Sequence, residues 1–157
     1  MHRLIALIFL ITSLAGPVAE PEVFGTPVPF LTDSIERKFS PPSAKFAPGH
    51  RGIDIDALAP LQSPVSGTVA FQGQVTNRMV LTIRSDRGYL LSFEPLCSDL
   101  EPGGSVSKGQ VIGSYCDGES GYEAHCEGCV HFSVRTARGY LNPLLFYRLL
   151  QPSLLLA

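Results

Sequence analysis

The sequence predicts an all-β fold: a compact antiparallel β-sandwich or barrel-like core, closed by a short C-terminal helix. Three observations carry that expectation. Fifteen glycines and thirteen prolines among 157 residues impose frequent turns and exclude a long helical bundle. From Gly49 onward, short alternating runs bounded by Gly, Asp, Asn or Ser recur at about ten-residue spacing, the texture of a sandwich or barrel. The chain is 45% hydrophobic and 17% charged, too apolar for disorder and too mixed for a membrane bundle. A net charge of −2 offers no molecule-wide basic field, which argues against nucleic acid as a partner.

The N-terminal segment reads as an address. His2 and Arg3 precede an apolar run, Leu4 to Leu14, of eleven residues. At about 1.5 Å per residue it is too short to cross roughly 30 Å of hydrocarbon. A basic start, a short apolar core and small residues after it indicate a signal peptide over residues 1–19, cleaved after Ala15 or Ala19. The bland alternative is a buried N-terminal helix. Export implies a secreted protein, extracellular or in the cell wall, with no stable membrane insertion and with cysteines in an oxidising compartment.

Residues 20–45 form a Pro-rich lead-in, with six prolines between Pro21 and Pro48. Within it, Ser34 to Lys38 reads as one helical turn. The domain proper is expected over residues 46–148, followed by a tail over residues 149–157. Gly67 to Gln72 is a strand. Met79 to Arg84 alternates, with Met79, Leu81 and Ile83 on one side and Thr82 and Arg84 on the other. Ser85-Asp-Arg-Gly88 then turns the chain, and Tyr89 to Phe93 returns as a hairpin partner. Glu101 to Gly104 is a further turn, and Val111 to Ser114 and Val130 to Arg135 are further strands. Asn142 before Pro143 makes an N-cap and first-turn pair for the closing helix, which Pro152 stops.

Two segments carry chemistry. In His50-Arg-Gly-Ile-Asp-Ile-Asp56, a strand would place Ile53 and Ile55 on the core face, with His50, Asp54 and Asp56 opposite. On a straight strand His50 and Asp54 would stand about 13 Å apart. One metal ion can be held by both only if the chain bends, and Gly49 and Gly52 permit a bend. The bland reading is an exposed edge strand with solvated acids. In His125-Cys-Glu-Gly-Cys-Val-His131, the last strand puts Cys129, His131 and Ser133 on one face and Phe132 and Val134 on the other. His50, Asp54 and His131 would then make a three-donor zinc site with an open fourth position. A structural zinc on His125, Cys126, Cys129 and His131 competes for the same residues. So does a Cys126–Cys129 disulfide, which is favoured in an exported protein and leaves Cys97 and Cys116 as a second pair. Four cysteines allow three connectivities.

Four pieces occur in order: His50-Arg-Gly-Ile-Asp-Ile55, Ser63-Pro-Val-Ser-Gly-Thr-Val69, Gly104-Ser-Val-Ser-Lys-Gly-Gln-Val-Ile-Gly113 and Val130-His-Phe-Ser-Val-Arg135. Together they resemble the lysostaphin/LytM-type zinc metallopeptidases, over about Phe46 to Tyr147. The family's H-x-x-x-D motif falls on His50 and Asp54, and the second His of its H-x-H motif falls on His131. The resemblance implies Zn2+ on those three residues, a compact antiparallel β fold and an exported enzyme acting on peptidoglycan peptides. Gly139-Tyr-Leu-Asn-Pro143 looks like the family's exit from the last strand.

The departures matter as much. The family's two assisting histidines align with Cys129 and, after Tyr89-Leu-Leu-Ser-Phe-Glu94, with Pro95. Cys-x-His beside His-Cys is similar to a form found in actinobacterial relatives. General acid–base help is worth about 10²–10⁴-fold, so its loss without a replacement would leave little turnover. His125 is the candidate catalytic substitute, with Glu94 and Asp56 as weaker ones. The sequence therefore supports two functions: a secreted zinc metallopeptidase of the bacterial cell wall, or a catalytically impaired relative that binds wall peptides or regulates another hydrolase. A lipoyl- or biotinyl-type carrier hairpin fits the glycine turns, but Lys108 does not sit at the required tight turn.

Overall fold

The computed structural model describes residues 35–44, 46–56, 59–117 and 128–144. Ten strands are formed there: β1 (Ile35–Arg37), β2 (Ile53–Asp56), β3 (Leu61–Gln62), β4 (Gly67–Val75), β5 (Arg78–Ser85), β6 (Leu90–Glu94), β7 (Ser105–Val106), β8 (Val111–Gly113), β9 (Cys129–Thr136) and β10 (Gly139–Leu141). The main sheet runs β1-β2-β9-β6-β5-β4-β7, with β10 also paired to β9. β3 and β8 form a second, two-stranded sheet. Every pairing is antiparallel, so the all-β expectation holds.

Period-two patterning positions the sheet. Leu81 and Ile83 of β5, Leu91 and Phe93 of β6, Val130, Phe132 and Val134 of β9, and Ile53 and Ile55 of β2 share one face and are buried. The β3–β8 ribbon adds Leu61 and Ile112 to this core, with Val65 between them in sequence. Phe93 and Phe132 stack with ring centroids 4.7 Å apart. The β5–β6 turn at Ser85 to Gly88 closes as expected, with Gly88 at φ +84°, where a side chain would be strained. The β4–β5 hairpin turns at Thr76-Asn77, with Thr76 at φ +58°, a turn without the usual glycine signal.

Two local readings change. Ile35–Arg37, expected within a helical turn, is a strand on the edge of the main sheet, where Ile35 pairs with Ile55 and Arg37 with Asp54. The edge of β2 offers unpaired backbone groups, and pairing them outweighs a weak local helical preference. The strand expected from His50 begins only at Ile53; Arg51 and Gly52 lie in a bend, and His50 makes an isolated bridge to Ser40. Asn142 caps the chain after β10 as expected, its Oδ1 accepting from the Leu144 amide at 3.1 Å. The rest of the expected C-terminal helix lies outside the described residues. Cys97 and Cys116 form a disulfide with Cα atoms 5.6 Å apart. It joins the chain leaving β6 to the chain leaving β8, beside the Cys97–Ser114 bridge.

Candidate metal centre

The face of the main sheet opposite the core carries the polar residues in rows set by register. Asp54 pairs with His131, and His131 with Glu94. Two residues along, Ser133 pairs with Ser92 and Ser92 with Thr82. The Thr82 and Ser92 hydroxyls hydrogen-bond at 2.9 Å.

His50 joins the first row from outside the strand. The bend at Arg51 and Gly52 brings its ring over β2. The Nδ1–H donates to the Lys38 carbonyl at 2.8 Å, so Nε2 faces the row, donating to Asp54 when the ring is charged and offering its lone pair when the ring is neutral. His50 Nε2 lies 3.0 Å from Asp54 Oδ1 and 3.1 Å from His131 Nδ1, and His131 Nδ1 lies 2.7 Å from the same oxygen. The 13 Å of a straight strand thus collapses to contact through the bend at Arg51 and Gly52; Gly49 lies outside that bend.

Gly52 does more than bend. A Cβ there would meet Cε1 and Nε2 of His131 at 2.7 Å and would press on the Phe132 carbonyl. The missing side chain is therefore the space in which the His131 ring sits.

His50 and Asp54 are buried and His131 nearly so, which removes the solvated-acid reading. Burial pushes the Asp54 carboxyl up. The hydrogen bond from His131, the charges of His50 and His131 and the hydrogen bond from His50 outweigh it, holding the carboxyl below its ordinary value of 3.8. Its other oxygen, Oδ2, is buried without a hydrogen-bond partner. Such an orphan is costly unless a cation or donor satisfies it.

These residues fit a zinc ion. Two imidazole nitrogens and a carboxylate oxygen are zinc donors, and a tetrahedral ion with bonds of 2.0–2.1 Å has neighbouring donors about 3.3 Å apart. Two of the observed edges, 3.1 and 3.0 Å, come close to this, and the Asp54–His131 edge, 2.7 Å, would have to open by about 0.6 Å around an ion. His50, Asp54 and His131 are the group able to hold a metal ion among the described residues. The rival cluster on His125 and Cys126 lies outside the described residues, as does the candidate catalytic role of His125.

The positions that the resemblance aligns with assisting histidines, Pro95 and Cys129, contain no imidazole. Cys129 lies two residues before His131, opposite Asp56, and is buried and disulfide-bonded. Cys126, its expected partner, lies outside the described residues. Pro95 follows Glu94 through a cis peptide bond, and Glu94 is held by Arg78 at 2.9 Å. Sequence reasoning missed the Lys38 carbonyl, twelve residues from His50, because a backbone acceptor leaves no signature in residue type. It named Gly52 as a bend but not as the seat of the His131 ring.

A family model described as peptidase family M23 matches residues 48–143. The uncharacterized protein Rv2891 of Mycobacterium tuberculosis (strain ATCC 25618 / H37Rv) is 30% identical over 117 residues, which cover 71% of this chain and 46% of that protein. The chain thus spans about half the length of the curated relatives it matches. Among solved structures, LytU superposes with a TM-score of 0.58 at 25% identity, covering 74% of this chain and 86% of LytU. The catalytic domain of the antimicrobial peptidase lysostaphin from Staphylococcus simulans shares the fold, with a TM-score of 0.56 at 18% identity and coverage of 71% and 89%.

Proposed function

The chain belongs to peptidase family M23, and we propose that it is a secreted zinc metallopeptidase hydrolysing peptide bonds in bacterial peptidoglycan, with His50, Asp54 and His131 as the metal ligands. The observation that carries this reading is the convergence of those three donors from a bend and two strands, with their atoms 2.7–3.1 Å apart. When bound by three protein donors, zinc supplies Lewis-acid polarisation of a carbonyl and a nucleophile available near neutral pH. The chain's own residues hold and orient. The Lys38 carbonyl fixes the His50 tautomer, Gly52 seats the His131 ring, and Asp54 brings a buried negative charge. The Ser133–Ser92–Thr82 row gives an extended peptide a polar floor beside the centre.

Export through residues 1–19 and a catalytic domain over residues 46–148, between the lead-in 20–45 and the tail 149–157, complete the proposal. The Cys97–Cys116 disulfide fits an oxidising compartment.

A second reading has its own support. Cys129 is in a disulfide and Pro95 has no polar side chain, so neither assists proton transfer. A metal-binding relative that holds wall peptides or regulates another hydrolase would look the same at the ligands. Incubating purified mature protein with cell walls, with and without chelator, separates the two. Chelator-sensitive release of new amino termini supports the peptidase; one zinc per chain without release supports the binder. A His131→Ala variant retaining full zinc occupancy would defeat both.

A further inference from the structure

Four residues beyond His131 on the same face of β9, the polar rows end in arginine. Arg84 of β5 pairs with Leu90 of β6, Leu90 with Arg135 of β9, and Arg135 with Tyr140 of β10. This row floors a groove of about 950 Å³ lined also by Arg51, Arg138 and Phe39, with no Asp or Glu among its lining residues. Four of the chain's twelve Lys and Arg therefore meet in one groove of a protein whose net charge is −2. Arg51 donates to the Ala47 carbonyl at 3.3 Å. The ion pairs formed among the described residues are His50 and His131 with Asp54, and Arg78 with Glu94, so Arg84, Arg135 and Arg138 face the groove without a carboxylate.

Arg84 and Arg135 stand two strands apart across Leu90, about 10 Å at about 4.8 Å per strand, and each exposed guanidinium presents a planar fork suited to a carboxylate. At about 3.3 Å per residue, Arg135 stands roughly 13 Å along the strand from His131. An extended peptide lying on this face would bridge that distance with about four residues.

We infer that Arg84, Arg135 and Arg138 form an anion-binding subsite on the same sheet face as the metal centre, which selects acidic peptides carrying a carboxylate about four residues from the bond placed at the metal. The position of that bond rests on the proposed peptidase reading; the anion preference does not.

The test uses zinc-reconstituted mature protein and fluorescein-labelled neutral peptides carrying one Glu, or Gln in its place, four residues from a central Gly-Gly bond. Fluorescence anisotropy reads binding without requiring cleavage. The Glu peptide is expected to bind about tenfold more tightly at low salt, from one charge-assisted hydrogen-bonded pair. That advantage should fall away in 0.5 M salt, where the screening length is only a few ångströms. It should also vanish in the Arg84→Gln/Arg135→Gln double variant at an unchanged unfolding midpoint, and return in part with Arg84→Lys/Arg135→Lys. Equal or absent binding of both peptides overturns the subsite, as does an advantage that survives in the folded Gln variant. An advantage that stays the same when Glu is moved next to the central bond overturns the spacing. Failure to release amino termini from cell walls, with the Glu preference intact, would sink the peptidase reading and leave the subsite standing.

Discussion

Adding one methyl group at Gly52 sets a carbon 2.7 Å from Cε1 and Nε2 of the His131 ring, where ordinary contact begins at 3.4 Å. The ring must retreat by about 0.7 Å, or the β9 backbone must move with it, since the same carbon presses on the Phe132 carbonyl. A metal site tolerates donor displacements of about 0.2 Å, so the shift is some threefold too large. Overpacking of this kind costs about 1–3 kcal/mol of stability, and mispositioning a ligand costs about 10–100-fold in metal affinity. At the upper end, Gly52→Ala would forfeit about 2.7 kcal/mol of zinc-dependent stabilisation at saturating metal. In a domain of this size that corresponds to about 10 °C of the zinc-induced rise in Tm. The assay is a zinc titration against a chromophoric chelator, paired with thermal melts in zinc and in chelator. Gly52→Ala should melt a few degrees low in chelator and fall further behind wild type in zinc. Wild-type zinc affinity together with a wild-type zinc-induced rise in Tm would refute the claim that the His131 ring occupies the space of the missing side chain.

Further expectations follow from other contacts. Asp54→Ala and His131→Ala should each abolish stoichiometric zinc in the purified protein, as read by elemental analysis. In chelator, the stability that Asp54 adds over an Asp54→Asn variant should be fully present above pH 3.8 and lost as pH falls through its lower folded value, because its pKa is depressed; urea midpoints across pH 2.5–6 read this, with pH limits chosen about that value. Replacing Cys97 and Cys116 by serine should cost about 3 kcal/mol in urea unfolding, the loop-closure entropy for a sequence separation of 19. Phe132→Ala, behind the ligand row and stacked on Phe93, should cost about 3–5 kcal/mol, and near-native stability would contradict its place in the core.

The residues themselves determined the strand alternation. Leu81 and Ile83, Phe132 and Val134, Ile53 and Ile55 announce their buried face because the side-chain period of a strand is two and one face is dry. Glycine and Asn142 announced turns and the cap, because few residue types satisfy those conformations. The ligand types were also legible: only His, Cys, Asp and Glu donate well to zinc, and few are present beside such alternation. The tertiary structure decided what depends on distant partners. Ile35–Arg37 is a strand because β2 has an edge to cover, and no local preference encodes that edge. His50 reaches Asp54 because its ring is anchored on the Lys38 carbonyl, an acceptor every residue possesses and none advertises. The meeting of Arg84 with Arg135 depends on register across β6, which joins positions 51 residues apart only once β5, β6 and β9 pair. Side-chain chemistry is local and can be read along the chain; convergence is a property of backbone pairing, and it exists only in the folded sheet.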